Sequence, residues 1–199
     1  EYGTPYGNYS GLVFEVSYSL GTVHLPGRLT VLHNDAFYSG YTSYSAFTVT
    51  FGDQYAEGNF TESRLTSIGE NAFRGTKVTT LTIPSSVTSI GANAFFGTSL
   101  ETITFEDGGT DPLTIGDYAF NECSSLKSVV FPSNLSELGI NVFQDGGYHA
   151  ASSLASIEVA EGCKAFASKD GALYSGGFAE LLFCPPAKTG KISIADETL

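Results

Sequence analysis

Apolar residues along this chain recur in two alternating phrases. The first is Ile68-Gly69-Glu70-Asn71-Ala72-Phe73, repeated as Ile90-Gly91-Ala92-Asn93-Ala94-Phe95, Ile115-Gly116-Asp117-Tyr118-Ala119-Phe120 and Leu138-Gly139-Ile140-Asn141-Val142-Phe143. Its glycines lie 22, 25 and 23 residues apart, and a weaker copy stands upstream at Leu32-His33-Asn34-Asp35-Ala36-Phe37. The second phrase spaces apolar residues as L-x-x-L-x-L: Val78/Leu81/Ile83, Leu100/Ile103/Phe105, Leu126/Val129/Phe131 and Leu154/Ile157/Val159. Val23 with Leu25 and Val49 with Phe51 extend the series to six rungs.

Each apolar–polar alternation predicts a short strand with one buried face. A single rung cannot hide that face, whereas rungs stacked about 4.8 Å apart bury a continuous core. A period near 23 residues falls in the range of leucine-rich repeats. The expected fold is a leucine-rich-repeat solenoid, a right-handed, β-rich β/α superhelix with a curved parallel sheet of about six rungs. Phe37, Phe73, Phe95, Phe120 and Phe143 should stack as a spine on the far side of the core. The glycine after each Ile or Leu suits either a positive φ or a close backbone approach. Asn71, Asn93, Asn141 and Asp35 share one repeat position, where a side-chain bond to turn backbone is expected.

The stretch at residues 81–95, Leu-x-Ile-Pro-x-x-Val-x-x-Ile-Gly-x-x-Ala-Phe, resembles the BspA-like (Treponema pallidum type) leucine-rich repeats. The resemblance covers roughly residues 22–162. The tail, with Phe166, Asp170-Gly171-Ala172-Leu173-Tyr174, Leu181-Leu182 and Cys184-Pro185, is similar to a β-hairpin variant of the same repeat. Ile192-Ser193-Ile194 reads as the opening of another rung. The resulting division is one domain over residues 1–199, with a cap at 1–21, repeats at 22–162 and a hairpin region at 163–199. The alternating residues 12–18 are expected to supply most of the cap. Repeats 1 and 2 depart from the pattern, with His33 in place of glycine and no Ile-Gly phrase directly after Phe37. The resemblance implies a secreted or surface-anchored protein that binds host or microbial surface proteins or glycans and has no catalytic activity.

Composition narrows the partners. Twenty-one acidic against nine basic residues leave a net charge of −12, a field that repels nucleic acid and anionic lipid. No apolar run reaches the roughly 20 residues needed to span a bilayer. The opening at Glu1, without Met or leader, reads as a mature protein or a trimmed piece of one, with any signal peptide already gone. With what the resemblance implies, the expectation is an extracellular or cell-surface monomer with no cofactor and no metal.

Candidate partner-binding residues fall in two places. The side chains flanking the buried strand positions face the concave side: His24, Thr48, Thr50, Thr80, Thr82, Thr102, Thr104, Ser128, Val130, Ser156 and Glu158. They form either a solvated β-favouring ladder or a polar docking surface poor in aromatic anchors. Insertions supply the second place: residues 38–45 and 144–153 at one edge, residues 52–64 and 106–112 at the other. Tyr38, Tyr41 and Tyr44 alternate there with Ser, Gly and Thr, a recognition-loop composition that also serves to cover the end of a core.

Other chemistry is thin. Cys123 takes the repeat position of Thr76 and Thr98, which marks a packing thiol; Cys163 and Cys184 both fall in the hairpin region and are candidates for a disulfide. His24, His33 and His149 sit on different rungs and make no triad. Glu106, Asp107 and Asp111 flank two glycines, yet lack the alternating oxygens of an EF-hand loop. A surface recognition module is the leading reading, a structural spacer that displays other domains the second, and an enzyme a distant third.

Overall fold

The computed structural model describes residues 21–38, 46–52, 63–144 and 151–192. Six strands make one parallel sheet in the order β1 (Thr22–Leu25), β3 (Phe47–Phe51), β5 (Val78–Ile83), β7 (Thr102–Phe105), β9 (Ser128–Phe131) and β11 (Ser156–Val159). Five strands of two to four residues make a second: β2 (Val31–Leu32), β4 (Ser67–Ile68), β6 (Ser89–Ile90), β8 (Leu113–Ile115) and β10 (Leu135–Leu138). Consecutive strands alternate between the two sheets, so the chain winds as a coil and meets itself one repeat later. The six predicted rungs are the six strands of the first sheet.

Register follows the apolar pattern. Leu81 lies opposite Ile103, and Ile103 opposite Val129, while Thr80 and Thr82 face Thr102 and Thr104. A slip of one residue would turn every apolar side chain outward, which fixes the pairing. Between the sheets lies one core that includes Leu81, Ile83, Ile90, Ile103, Ile115 and Val129, all buried. The phenylalanine column runs through it: centroids lie 4.9 Å apart for Phe37–Phe73, 5.4 Å for Phe73–Phe95, 5.3 Å for Phe95–Phe120 and 5.9 Å for Phe120–Phe143.

The helical half of the expected β/α superhelix is not realised among the described residues, which hold only one 3-10 turn, Gly176–Phe178. The second half of each coil is a strand of two to four residues followed by a tight turn. Its backbone leaves the helical region where the turn residue takes a positive φ: 57° at Asp35, 54° at Asn71 and Asn93, 57° at Tyr118 and 52° at Asn141. Asparagine tolerates this left-handed conformation better than most side chains, which explains its recurrence. The expected bond from Asn to local turn backbone is not what the side chains make: Asn71 accepts from Arg74, and Asn141 donates to the Tyr118 hydroxyl.

The repeated glycines separate the two sequence explanations. None of Gly69, Gly91, Gly116 and Gly139 has positive φ. A Cβ on any of them would instead press closer than 3.0 Å on the backbone of the preceding coil. His33 stands in that position on the first described coil. The phrase missing directly after Phe37 is also located: the coil begun by β3 reaches Ile68-Gly69 only after the insertion at residues 52–64.

The C-terminal region forms an antiparallel sheet of β12 (Phe166–Lys169), β13 (Ala172–Ser175) and β14 (Leu181–Phe183), matching the hairpin expectation. Phe183 packs against Phe143 with centroids 5.3 Å apart and the rings tilted by 33°, so the aromatic column ends on a ring from this sheet. The expected N-terminal cap, including residues 12–18, and the rung expected to open at Ile192-Ser193-Ile194 lie wholly or largely outside the described residues.

Candidate functional site

The outward face of the six-stranded sheet carries the threonines. Strand alternation points Thr80, Thr82, Thr102 and Thr104 to solvent while Leu81 and Ile103 point inward. Neighbouring rungs are about 4.8 Å apart and successive outward residues on one strand about 7 Å apart, giving two columns of hydroxyls. One column runs Thr22–Thr48–Thr80–Thr102 and the other contains His24–Thr50 and Thr82–Thr104–Val130. Ser128 and Ser156 pair at the end of the first, and Glu158 pairs with Val130 at the end of the second.

The columns are not equally occupied. At the N-terminal end the hydroxyls satisfy one another: Thr22 and Thr48 oxygens are 3.1 Å apart, and His24 Nδ1 lies 2.7 Å from the Thr50 hydroxyl. Further along, Thr80, Thr82, Thr102 and Thr104 are exposed and make no side-chain hydrogen bond among the described residues. Val130, 48% exposed, interrupts the polar face next to them.

Beside the second column, at the edge where the chain passes from the first sheet to the second, lies a polar groove of about 680 Å³. Thr50, Thr82, Phe51, Ser85, Glu106 and Thr110 are among its walls. Of these, sequence reasoning named Thr50 and Thr82 and placed Glu106 and Thr110 in an insertion, but it did not join them. The repeat offset that brings residues 82–86 under residues 106–110 is the signal that would have done so.

The acidic insertion ties its loop to the neighbouring coils. Asp107 accepts from the Ser133 N–H at 3.0 Å and its hydroxyl at 2.7 Å, Glu106 accepts from the Ser85 N–H at 3.2 Å, and the Asp111 carbonyl accepts from Asn134 at 2.7 Å. The Ser133 N–H, then its hydroxyl, hold the Asp107 carboxyl below its ordinary value by favouring the charged form. No group of His, Cys, Asp and Glu among the described residues is arranged to hold a metal ion.

Tyr38 is 46% exposed, while Tyr41, Tyr44 and His149 lie outside the described residues. Cys123 is fully buried, within 3.2 Å of the Thr98 hydroxyl and donating to the Phe95 carbonyl at 3.0 Å. Burial pushes its thiol up to about 11, the state of a packing residue rather than a nucleophile. Cys163 and Cys184 are both free thiols. No described helix is long and apolar enough to cross a membrane.

This geometry of stacked parallel rungs, an inward phenylalanine column and Ile-Gly turns has a counterpart in a known family. The model of the BspA type leucine-rich repeat region, six copies, matches residues 50–169, more than half of the chain. The chain belongs to the BspA-type leucine-rich-repeat family. Among solved structures, this BspA-type chain is similar to the pneumococcal vaccine antigen PcpA, with a TM-score of 0.70 and 26% identity over 85% of this chain and 38% of that one. A leucine-rich repeat protein from Eubacterium ventriosum matches with 26% identity and a TM-score of 0.45, covering 74% of this chain and 40% of that chain. A leucine-rich cell surface protein from Faecalibacterium prausnitzii matches with 23% identity and a TM-score of 0.49, covering 86% and 49%. The BspA-type repeats here thus span less than half the length of each of these proteins. No curated protein matches the chain.

Proposed function

We propose that this chain is a non-catalytic recognition module, secreted or displayed at a bacterial cell surface, that binds a protein or glycan through the outward face of the six-stranded sheet and its edge loops. The observation that carries this reading is the set of exposed hydroxyls on Thr80, Thr82, Thr102 and Thr104, which have no intramolecular partner among the described residues. A hydroxyl both donates and accepts, so a rigid lattice of them suits a ligand rich in polar groups. The adjoining groove with Phe51 and Glu106 adds an aromatic ring and a carboxylate. Ser128 and Glu158 extend the face, and Tyr38, Tyr41 and Tyr44 supply contacts from one edge. Likeness to a vaccine antigen supports exposure to a host. A monomeric state and a single domain over residues 1–199 belong to the same proposal.

The test is an array of matrix proteins and glycans, probed with the chain and with two variants. One replaces Thr82 and Thr104 by lysine; the other replaces Tyr38, Tyr41 and Tyr44 by alanine. Binding that falls at least about tenfold in either variant, at unchanged thermal stability, supports the reading; tenfold corresponds to about 1.4 kcal/mol. An array on which the native chain binds nothing removes it.

A spacer that holds other domains apart is the second reading. What favours it is the 38% share of PcpA that the chain spans, which leaves room for recognition elsewhere in such a protein. Binding by the isolated chain decides between the two.

A further inference from the structure

The repeat is broken at one place in the middle of the first sheet's edge. The inward residues that end its strands include Leu25, Ile83, Phe105 and Phe131, which are 2, 1, 8 and 0% exposed. Phe51, the register partner of Leu25, is only half-buried. The next residue is a proline on three coils, Pro26, Pro84 and Pro132, but Gly52 and Glu106 on the coils of β3 and β7. Those two coils flank the Pro84 coil and stand two rung spacings, about 10 Å, apart. The polar groove of about 680 Å³ lies across this interval.

Bonds between coils hold its walls. Ser86 donates to the Ser63 and Leu65 carbonyls at 3.1 and 2.8 Å, and Glu106 Oε2 accepts from the Ser85 N–H at 3.2 Å. Gly109 brings its loop so near that a Cβ there would press on the Ser85 carbonyl and the Asn134 amide. Left over among the lining groups are the hydroxyls of Thr82, Ser85 and Thr110 and the second carboxylate oxygen of Glu106, none bonded to a described residue.

We propose that this groove is a subsite for a neutral oligosaccharide, an inference that deepens the recognition reading above and rests on it. A sugar ring carries hydroxyls around its rim and C–H bonds on its faces. Glu106 only accepts, while Thr82, Ser85 and Thr110 donate or accept, so the set meets both roles of a sugar hydroxyl. The accessible part of the Phe51 ring offers a π surface to the C–H face. Two other ligand classes fit less well. An extended peptide bonds through its backbone to an open strand edge, and β3, β5 and β7 are each paired on both sides. An acidic glycan would set its charge against Glu106, with no lysine or arginine among the described lining residues to offset it.

The test follows threonine methyl signals of the intact chain as it is titrated with unsialylated, unsulfated di- to tetrasaccharides, with their sialylated counterparts and with tetralysine. At about 10 mM at least one neutral saccharide should saturate shifts at Thr82 and Thr110 and leave Thr22 unmoved, as for a Kd of about 1 mM. Its sialylated form should bind at least about tenfold more weakly. Glu106→Gln keeps an oxygen for the Ser85 N–H; it should weaken the neutral sugar about fivefold and narrow that gap. Thr110→Val should cost about tenfold in affinity at unchanged melting temperature. Phe51→Leu, the residue type of Leu25, should cost about fivefold without emptying the core. Any of four results overturns the proposal: no shift at Thr82 or Thr110 with any neutral saccharide, equal binding of the sialylated forms to the native chain, tighter occupation by tetralysine, or affinity unchanged in both Glu106→Gln and Thr110→Val. A ligand that moves Thr80 and Thr102 but not Thr110 overturns it too, while leaving the wider recognition reading in place.

Discussion

The Cβ that Gly91 lacks would lie 2.5 Å from the backbone nitrogen of Glu70. Neither neighbour can yield, because Gly91 N–H is bonded to the Ile68 carbonyl at 2.8 Å and the next coil presses from the other side, Gly116 donating to Ile90. Gly91→Ala should therefore cost about 3 kcal/mol, at the upper end of overpacking, and lower the melting temperature by roughly 10 °C for a domain of this size. Gly177 is the control: its φ is 74° and a Cβ there meets nothing within 4 Å. Gly177→Ala should cost only about 1 kcal/mol of left-handed strain. Equal losses for the two variants in a urea titration would remove close approach as the reason for the repeated glycine.

The turn position gives the opposite test. Asn93 has φ 54°, so a residue with no left-handed penalty should be welcome there. Asn93→Gly should lie within about 0.5 kcal/mol of the native chain, and Asn93→Val should lose about 2 kcal/mol. Denaturation midpoints of the two variants check this.

Within the aromatic column, a ring flanked on both sides matters more than one at its limit. Phe95 stacks on Phe73 and Phe120 at 5.4 and 5.3 Å. Phe95→Ala should cost about 4 kcal/mol, transfer and cavity together, and Phe95→Leu about half of that. Calorimetry on the leucine variant reads the loss even where the alanine variant fails to fold.

Cys123 shares its repeat position with Thr98, whose hydroxyl it touches, so Cys123→Thr should change stability by less than about 1 kcal/mol. In the native protein its thiol should resist iodoacetamide at pH 8 while exposed Cys184 reacts, a contrast readable by peptide mass mapping. The pH dependence has a definite sign. The thiol ionises near 9 when unfolded and near 11 when folded, so above pH 9 the folded state holds more protons than the unfolded one. Its contribution to stability is intact below pH 9 and is lost as pH rises through 11. A Cys123→Thr chain that lost stability just as steeply over that interval would show that another group is responsible.

The rungs of the first sheet and the aromatic spine were legible because each rests on a long, regular apolar period. The second sheet was not, although its residues sat inside the quoted phrase. Ser67-Ile68 and Ser89-Ile90 are strands of two residues, too short for alternation to show, and their pairing depends on a coil 22 residues away. The role of Asn93 was missed for a related reason: a backbone angle leaves no periodic trace except the preference for asparagine itself. Of the site, the threonine face followed directly from strand alternation. The groove beside Glu106 did not, because it joins residues through stacking rather than through neighbourhood in the chain.

Among the described residues, each coil of the repeat is bonded mainly to the coils directly above and below it. Tension applied to the two ends of such a chain is felt first by the outermost winding, whose bonds part before those beneath are loaded. A solenoid built this way should lengthen in small successive steps under load and reseat winding by winding when the load is released.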